Sequence, residues 1–390
     1  MRRLVPAWCS LGLVAVVATT TPAAAAARRD VSNVELQDTA KAKQKVPKPP
    51  RTPAADSVRL DKRAKDAGGR PLFTSRDPLP FTLTANFGQI SRERDSTSKK
   101  EFDGTLVVRD EAGTDRSVKV RLRTRGHFRL MARTCRFVNL LVFFPDKGLK
   151  GTPFEGQKSL KLGAHCQNDS KYEQYVLKEY LAYRIFNLVT EVSFRARLST
   201  GTYVDSASGR PLQTRAALWI ESEADVASRA RGQMRDLRRA LFADVDAPTL
   251  DQMALFEYAI GNTDWSIYAL HNVRVIRQDN GNVLPVPYDF DFSGLVDASY
   301  AIPPPQLAIK SVRERLFRGP CRPRDVITER LTLWQARRAA ILNEVGQVQG
   351  LEPREAQYTR EYLTEFFDMI NDPRQVKRAF IDGCLDKPGA

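Results

Sequence analysis

The chain has 390 residues, 42% of them hydrophobic, which is enough to bury a sizeable core; past its N-terminal apolar run it offers no membrane-spanning segment. Sixty-one Lys and Arg against 46 Asp and Glu give a formal charge of +15. That excess is no case for specific nucleic-acid binding, because residues 28 to 80 hold 13 basic against 7 acidic side chains and so carry +6 of it.

Met1, Arg2 and Arg3, an apolar run over Leu11 to Ala18, then Pro22 and a string of alanines form the tripartite pattern of a secretory signal, predicted over residues 1–27. The expected location is therefore exported, periplasmic or extracellular. Residues 28–78 are basic, rich in Pro, Ala and Lys and poor in aromatic and β-branched side chains. They read as a disordered linker, a solvated spacer with affinity for an anionic envelope polymer. A single domain is expected over 79–388.

Loss of Cys9 with the signal leaves Cys135, Cys166, Cys321 and Cys384, an even set suited to an oxidising compartment. Proximity in the chain favours Cys135 with Cys166 and Cys321 with Cys384. Zinc is the competing reading, but there is no Cys-x-x-Cys, and only His165 lies near a cysteine.

The first half of the domain reads as strands. Thr105 to Arg109 and Val118 to Thr124 flank the turn sequence DEAGTD, and Val118, Val120 and Leu122 alternate with basic residues. Phe137 to Phe144 suits an interior strand, and KSLKL, which contains Lys161, also alternates. A helix is expected over Tyr172 to Val189, followed by strands near Leu198 to Val204 and Arg215 to Glu221. The second half is mainly helical, with helices around 222–242, from Thr249 to Gly261, and around 322–345 and 353–371. The result is an α+β arrangement.

Within the second half, Val273 to Arg277 and Val283 to Val286 bracket Asn280-Gly281, the signature of a β-hairpin. With Asn280 and Gly281 as a two-residue turn, Asp279 faces Asn282, Val275 faces Val286 and Asn272 faces Asp289. Pro285 and Pro287 then fall at non-hydrogen-bonded positions, as a ladder requires, and the second strand becomes an edge. Asp264, Asn272, Asp289 and Asp291 are thus expected to gather at the open end of the hairpin. Clustered carboxylates are stable chiefly around a cation, and hard oxygen ligands suit Mg²⁺ or Mn²⁺. Asp-x-Asp by itself also occurs in structural calcium sites, glycosyltransferases and ordinary turns. His271 is expected beside the site, with Trp265 and Tyr288 as walls.

These residues resemble the CotH-type family of atypical, secreted or spore-coat protein kinases. The resemblance lies in the Arg-Gly element after a strand (Arg123 to Gly126), the Asn-x-Asp segment leading to His-Asn (Asn262, Asp264, His271, Asn272), and Asp289-Phe290-Asp291 with Gly294 nearby. It covers residues 100 to 300 and implies a two-lobed protein-kinase-like fold, ATP with Mg²⁺ or Mn²⁺, and transfer of phosphate to Ser or Thr of an exported protein. By the resemblance Asp264 is the catalytic acid or base, Asp289 and Asp291 are metal ligands, Asn272 helps both, and Arg125 lies near phosphate. Where the family has Pro-Lys-Lys after Arg-Gly, this chain has Thr134, Cys135 and Arg136. Lys161 is the first choice for the nucleotide-binding lysine and Lys178 the second, with Glu221 or Glu179 as its partner. A non-catalytic envelope-binding module, or a metal-dependent hydrolase or glycosyltransferase, are the alternatives.

Overall fold

The computed structural model describes residues 53–387. The expected signal peptide and residues 28–52 of the expected linker lie outside the described residues.

Seven strands of the first half close into a barrel: β1 (Leu79–Ala85), β2 (Phe102–Arg109), β3 (Asp115–Arg125), β4 (Asn139–Phe143), β5 (Ser159–Gly163), β6 (Ala196–Asp205) and β7 (Pro211–Ile220). Their order around it is β1-β2-β3-β4-β5-β7-β6. Alternation builds the interior: Leu83 and Leu106, Leu122 on β3, Leu140 and Val142, Leu162, and Trp219 point inward and are buried. The closing contact is the parallel pairing of β1 with β6, in which Phe81 lies beside Gly201. A Cβ on Gly201 would fall 2.5 Å from the Phe81 ring, so glycine is what lets the seam close.

This barrel overturns the expected two-lobed kinase-like fold. The sequence pattern contains the antiparallel strands, but β1, placed directly after the expected linker, joins both β2 and β6 and removes the open edges of the sheet.

The expected disorder of 28–78 also fails over its described part. Helix α1 (Pro53–Gly68) runs through it, and Leu60, Ala67 and Leu72 are buried. Few apolar residues suffice because arginines satisfy the backbone at the helix end. Arg195 donates to the carbonyls of Ala67 and Gly68, Arg197 donates to those of Leu72 and Ser75, and Arg70 pairs with Asp225 at 3.3 Å.

A one-turn helix, α2 (Phe87–Ile90), follows β1, and α3 (Lys171–Val189) separates β5 from β6. The helix expected over 222–242 is instead α4 (Glu223–Arg229) followed by a short strand, β8 (Gly232–Arg235). Arg231, at φ 54°, turns the chain between them. Helix α5 (Ala247–Ala259) begins before Thr249, because Asp246 caps it by accepting from the Thr249 N–H at 3.0 Å.

The hairpin strands β9 (Val273–Gln278) and β10 (Val283–Pro287) join β8 in a second sheet, with β10 at its edge. Helices α6 (Arg324–Ala336), α7 (Arg338–Val345) and α8 (Pro353–Met369) complete the second half. Its core packs α3, α5 and α8 around the hairpin through Leu181, Phe186, Phe256, Val275, Phe290 and Phe366. Both expected disulfides are formed, Cys135–Cys166 with a Cα separation of 4.5 Å and Cys321–Cys384 with 4.9 Å. None of the described helices is long and apolar enough to cross a membrane.

Candidate functional site

A cleft of about 640 Å³ lies between β3, β4 and β5 of the barrel on one side and the open end of the β9–β10 hairpin on the other. Arg125, Lys161, Asp264, Asn272, Asp289 and Asp291 all line it.

The hairpin brings the acids there in a register one residue away from the expected one. Val275 pairs with Pro285 and Val273 with Pro287, and the Gln278 N–H donates to the Asn282 carbonyl. The loop therefore holds three residues, Asp279, Asn280 and Gly281, and Gly281 takes the left-handed conformation (φ 94°) that such a loop needs. Asn272 consequently faces Tyr288, whose N–H donates to its carbonyl at 3.0 Å, and not Asp289. The prolines could not reveal the slip. Asn282 closes the ladder in both registers, so the hydrogen-bonding residues of β10 are the same ones, and only the first strand moves.

Asn272 and Asp289 still reach the cleft because both leave the strand pattern, at φ 51° and 69°. Such conformations cost energy for any residue with a Cβ, and Asn and Asp tolerate them best. Phe290 anchors the turn: it is fully buried against Tyr183 (4.7 Å) and Phe256 (5.1 Å), so Asp289 and Asp291 on either side both face the cleft. The hydroxyl of Tyr183 also accepts the Asp289 N–H at 3.0 Å.

Asp264 sits at the centre of a small network. Its Oδ1 meets His271 Nε2 at 3.0 Å, and its Oδ2 and main-chain carbonyl accept from Asn272 Nδ2 at 3.0 and 2.8 Å. The bond to Asp264 raises the pKa of His271 above the usual imidazole range, against some loss from burial. Trp265 belongs to the core and is not a wall of the cleft, whereas Tyr288 is one.

The barrel wall is cationic. Arg125, the last residue of β3, pairs with Asn139 along the strand, and its side chain makes no hydrogen bond or ion pair among the described residues. Lys161 on β5 bonds Glu223 at 3.0 Å and lies 4.5 Å from the centre of the Tyr288 ring. Burial first, then the nearby Arg125 charge, lowers its pKa to about 8, although Glu223 pulls the other way. Glu223 is shared with Arg274, also at 3.0 Å.

Glu221, the expected partner of Lys161, is elsewhere. Ile220 is the residue paired with Lys161 across the sheet, and the fully buried Glu221 carboxylate is taken by Arg195 and Arg229, both at 2.8 Å. Lys178 points to α8, where it bonds Glu355 at 2.8 Å.

Arg129 is the largest omission of the sequence reading. Its buried guanidinium bonds Asp291 Oδ2 at 2.9 Å, Asn139 Oδ1 at 3.2 Å and the Tyr300 hydroxyl at 3.0 Å, and lies 3.7 Å from Glu179. Tyr300 also donates to Asp291 Oδ2, at 2.9 Å. A protein cation thus neutralises the carboxylate expected to need a metal. The Glu179 pKa is pushed up to about 8 by burial, Arg129 opposing and Asp291 adding to the rise. Burial and the neighbouring Asp291 raise that of Asp289 as well. Arg129 stands four residues after Arg125 in RGHFR, a spacing too common to single it out.

Past Lys161 the cleft adjoins a second polar chamber of about 640 Å³ lined by Gln157, Ser159, Ser222, Glu223, Arg63 of α1 and Arg70 just beyond that helix. A separate apolar cavity of about 380 Å³, lined by Phe87, Ile90, Phe137 and Leu140, holds only Arg136 and Asp205 as charged groups. No family model and no curated protein matches this chain.

Proposed function

We propose that the cleft transfers the terminal phosphoryl group of ATP to a Ser or Thr hydroxyl of an exported protein, as the resemblance to CotH-type kinases implies. The observation that carries the reading is the meeting, in one cleft, of half-buried Lys161 and the Arg125 side chain, unpaired among the described residues, with Asp264 and Asp289. The two disulfides fit a protein that leaves the cytoplasm.

The oxygen atoms on the hairpin wall suit a hard divalent ion such as Mg²⁺ or Mn²⁺. Among the described residues the Asp289 carboxylate accepts no hydrogen bond, and Asn272 and Asp291 each keep Oδ1 unengaged. No three His, Cys, Asp or Glu side chains among the described residues form a ready-made ligand group. Asp289, Asp291 and Asn272 would therefore hold the ion together with donor phosphates, a common arrangement for Mg²⁺. When bound, it would offset phosphate charge.

In this reading Arg125 and Lys161 bind and orient the phosphates, and the chamber beyond Lys161 accepts the rest of the nucleotide. Asp264 takes the proton of the acceptor hydroxyl. The hydroxyl oxygen bonds to the terminal phosphorus, the bond from that phosphorus to its bridging oxygen breaks, and ADP leaves. Incubation of the purified chain with Mn²⁺, labelled ATP and acceptor proteins should give phosphoprotein that is lost in Asp264→Ala and Asp289→Ala. Labelling that survives both substitutions would sink the proposal.

The lock of Arg129 and Tyr300 on Asp291 favours a second reading, a non-catalytic envelope-binding module. Thermal shift separates the two, since a ligand that binds only the folded state raises the melting temperature. No shift with any nucleotide and metal would favour the module.

A further inference from the structure

Asp264 stands on irregular chain between α5 and β9, and irregular chain does not hold a side chain steady by itself. Arg318 supplies the support. Its Nη1 donates to two main-chain carbonyls, Thr263 O at 2.7 Å and Trp265 O at 2.6 Å, one on each side of Asp264. Thr263 and Trp265 are each only 3% exposed, so water is poorly placed to replace the arginine. The guanidinium also lies 5.9 Å from the Trp265 ring.

A second grip comes from α5. Buried Glu257 accepts from Asn262 Nδ2 at 2.9 Å, and Asn262 Oδ1 accepts the Asp264 N–H at 3.0 Å. Arg318 is itself anchored. The Leu385 N–H donates to the Gly319 carbonyl at 2.9 Å, the Cys321 N–H donates to the Leu385 carbonyl at 3.1 Å, and Cys321–Cys384 ties the two segments covalently.

We propose that Arg318, anchored by the Cys321–Cys384 disulfide, is a positioning residue that fixes the backbone around Asp264 and so aims its carboxylate at His271, Asn272 and the cleft. Its catalytic consequence rests on the reading of Asp264 as the proton acceptor. The clamp itself does not. One nitrogen makes both bonds, so a cationic donor of suitable reach is required and the guanidinium fork is not: lysine should substitute and methionine should not.

The test compares the full chain with Arg318→Lys, Arg318→Met and the double variant Cys321→Ser/Cys384→Ser. Amide exchange over residues 262–272 is followed by mass spectrometry, and kcat and KM for ATP are measured in the Mn²⁺ assay. In Arg318→Met, exchange over 262–272 should rise about tenfold while α3 is unaffected, the loss of two buried hydrogen bonds being felt locally. The kcat should fall with KM for ATP unchanged, and Arg318→Lys should restore most of both. The cysteine variant should show a smaller rise over the same residues. Wild-type exchange in Arg318→Met, or Arg318→Lys no better than Arg318→Met, overturns the clamp; unchanged exchange in the cysteine variant overturns its anchoring. Should the wild-type chain transfer no phosphate, the phosphotransfer reading fails, while the exchange data still decide the clamp.

Discussion

The barrel wall of the cleft carries Arg125 and Lys161 on regular strands, whereas the opposite wall carries its acids on residues just outside them. Arg125 ends β3 and Lys161 lies within β5, so strand alternation alone sets their direction. Asp264, Asn272 and Asp289 all fall outside β9 and β10, two of them at positive φ, at a cost of about 1–3 kcal/mol each. Carboxylates that repel one another gather only where the surroundings enforce it. Here the enforcers are the buried Phe290, the Asn272 amide and Arg318. The acid wall is thus the strained one, and Arg129, on the turn that follows β3, reaches across from the barrel side to stabilise it.

That contrast can be broken most severely at Arg129. Arg129→Met strands Asp291 and Glu179 as buried acids without their cation and should cost about 3–5 kcal/mol in denaturant unfolding. A loss under about 1 kcal/mol would mean that the acid wall does not depend on the barrel.

Lys161→Met should weaken binding of tripolyphosphate by about 1.5–3 kcal/mol in titration calorimetry. The pH dependence has a definite sign. Lys161 is charged below about 8, so wild-type affinity should be strongest there and fall as pH rises through that value, a fall that the methionine variant lacks. Because the folded pKa is depressed, the unfolded chain binds more protons between about 8 and the ordinary lysine value, and wild-type stability should rise with pH over that window.

Asp289→Asn should act in opposite directions on stability and function. It removes a half-buried carboxylate whose ionised form is disfavoured, so the melting temperature should rise, by the equivalent of about 1 kcal/mol, while any Mn²⁺-induced shift disappears. A lower melting temperature would show that the acid wall is not strained.

The smallest effect concerns His271. Asp264→Asn should bring its NMR titration midpoint down to the ordinary imidazole range. In the wild type, the raised folded value means that this pair stabilises the fold below the unfolded pKa, and the contribution is lost as pH rises through the folded one. An unmoved midpoint would assign the shift to something other than Asp264.

The residues alone determined the local matters. Asn280-Gly281 between alternating strands can only be a hairpin, the stripe of α3 marks a helix, and four cysteines spaced in two pairs lead to the two observed bridges. The hairpin pattern likewise picked out Asp264, Asn272, Asp289 and Asp291, and the family resemblance added Arg125 and Lys161; all six line one cleft.

What tertiary structure decided is everything that depends on partners distant in the chain. Closure of the barrel needs Leu79 beside Ser199, a parallel pairing that leaves no local mark. The hairpin slip hinged on whether its loop holds two or three residues, two turn forms that one Asn-Gly serves equally well. Glu223 replaced Glu221 beside Lys161, and Arg129 became the counter-charge of Asp291, because burial makes each charge take whichever partner the packing brings within reach. A sequence lists the charges; only the folded chain determines which of them meet away from water.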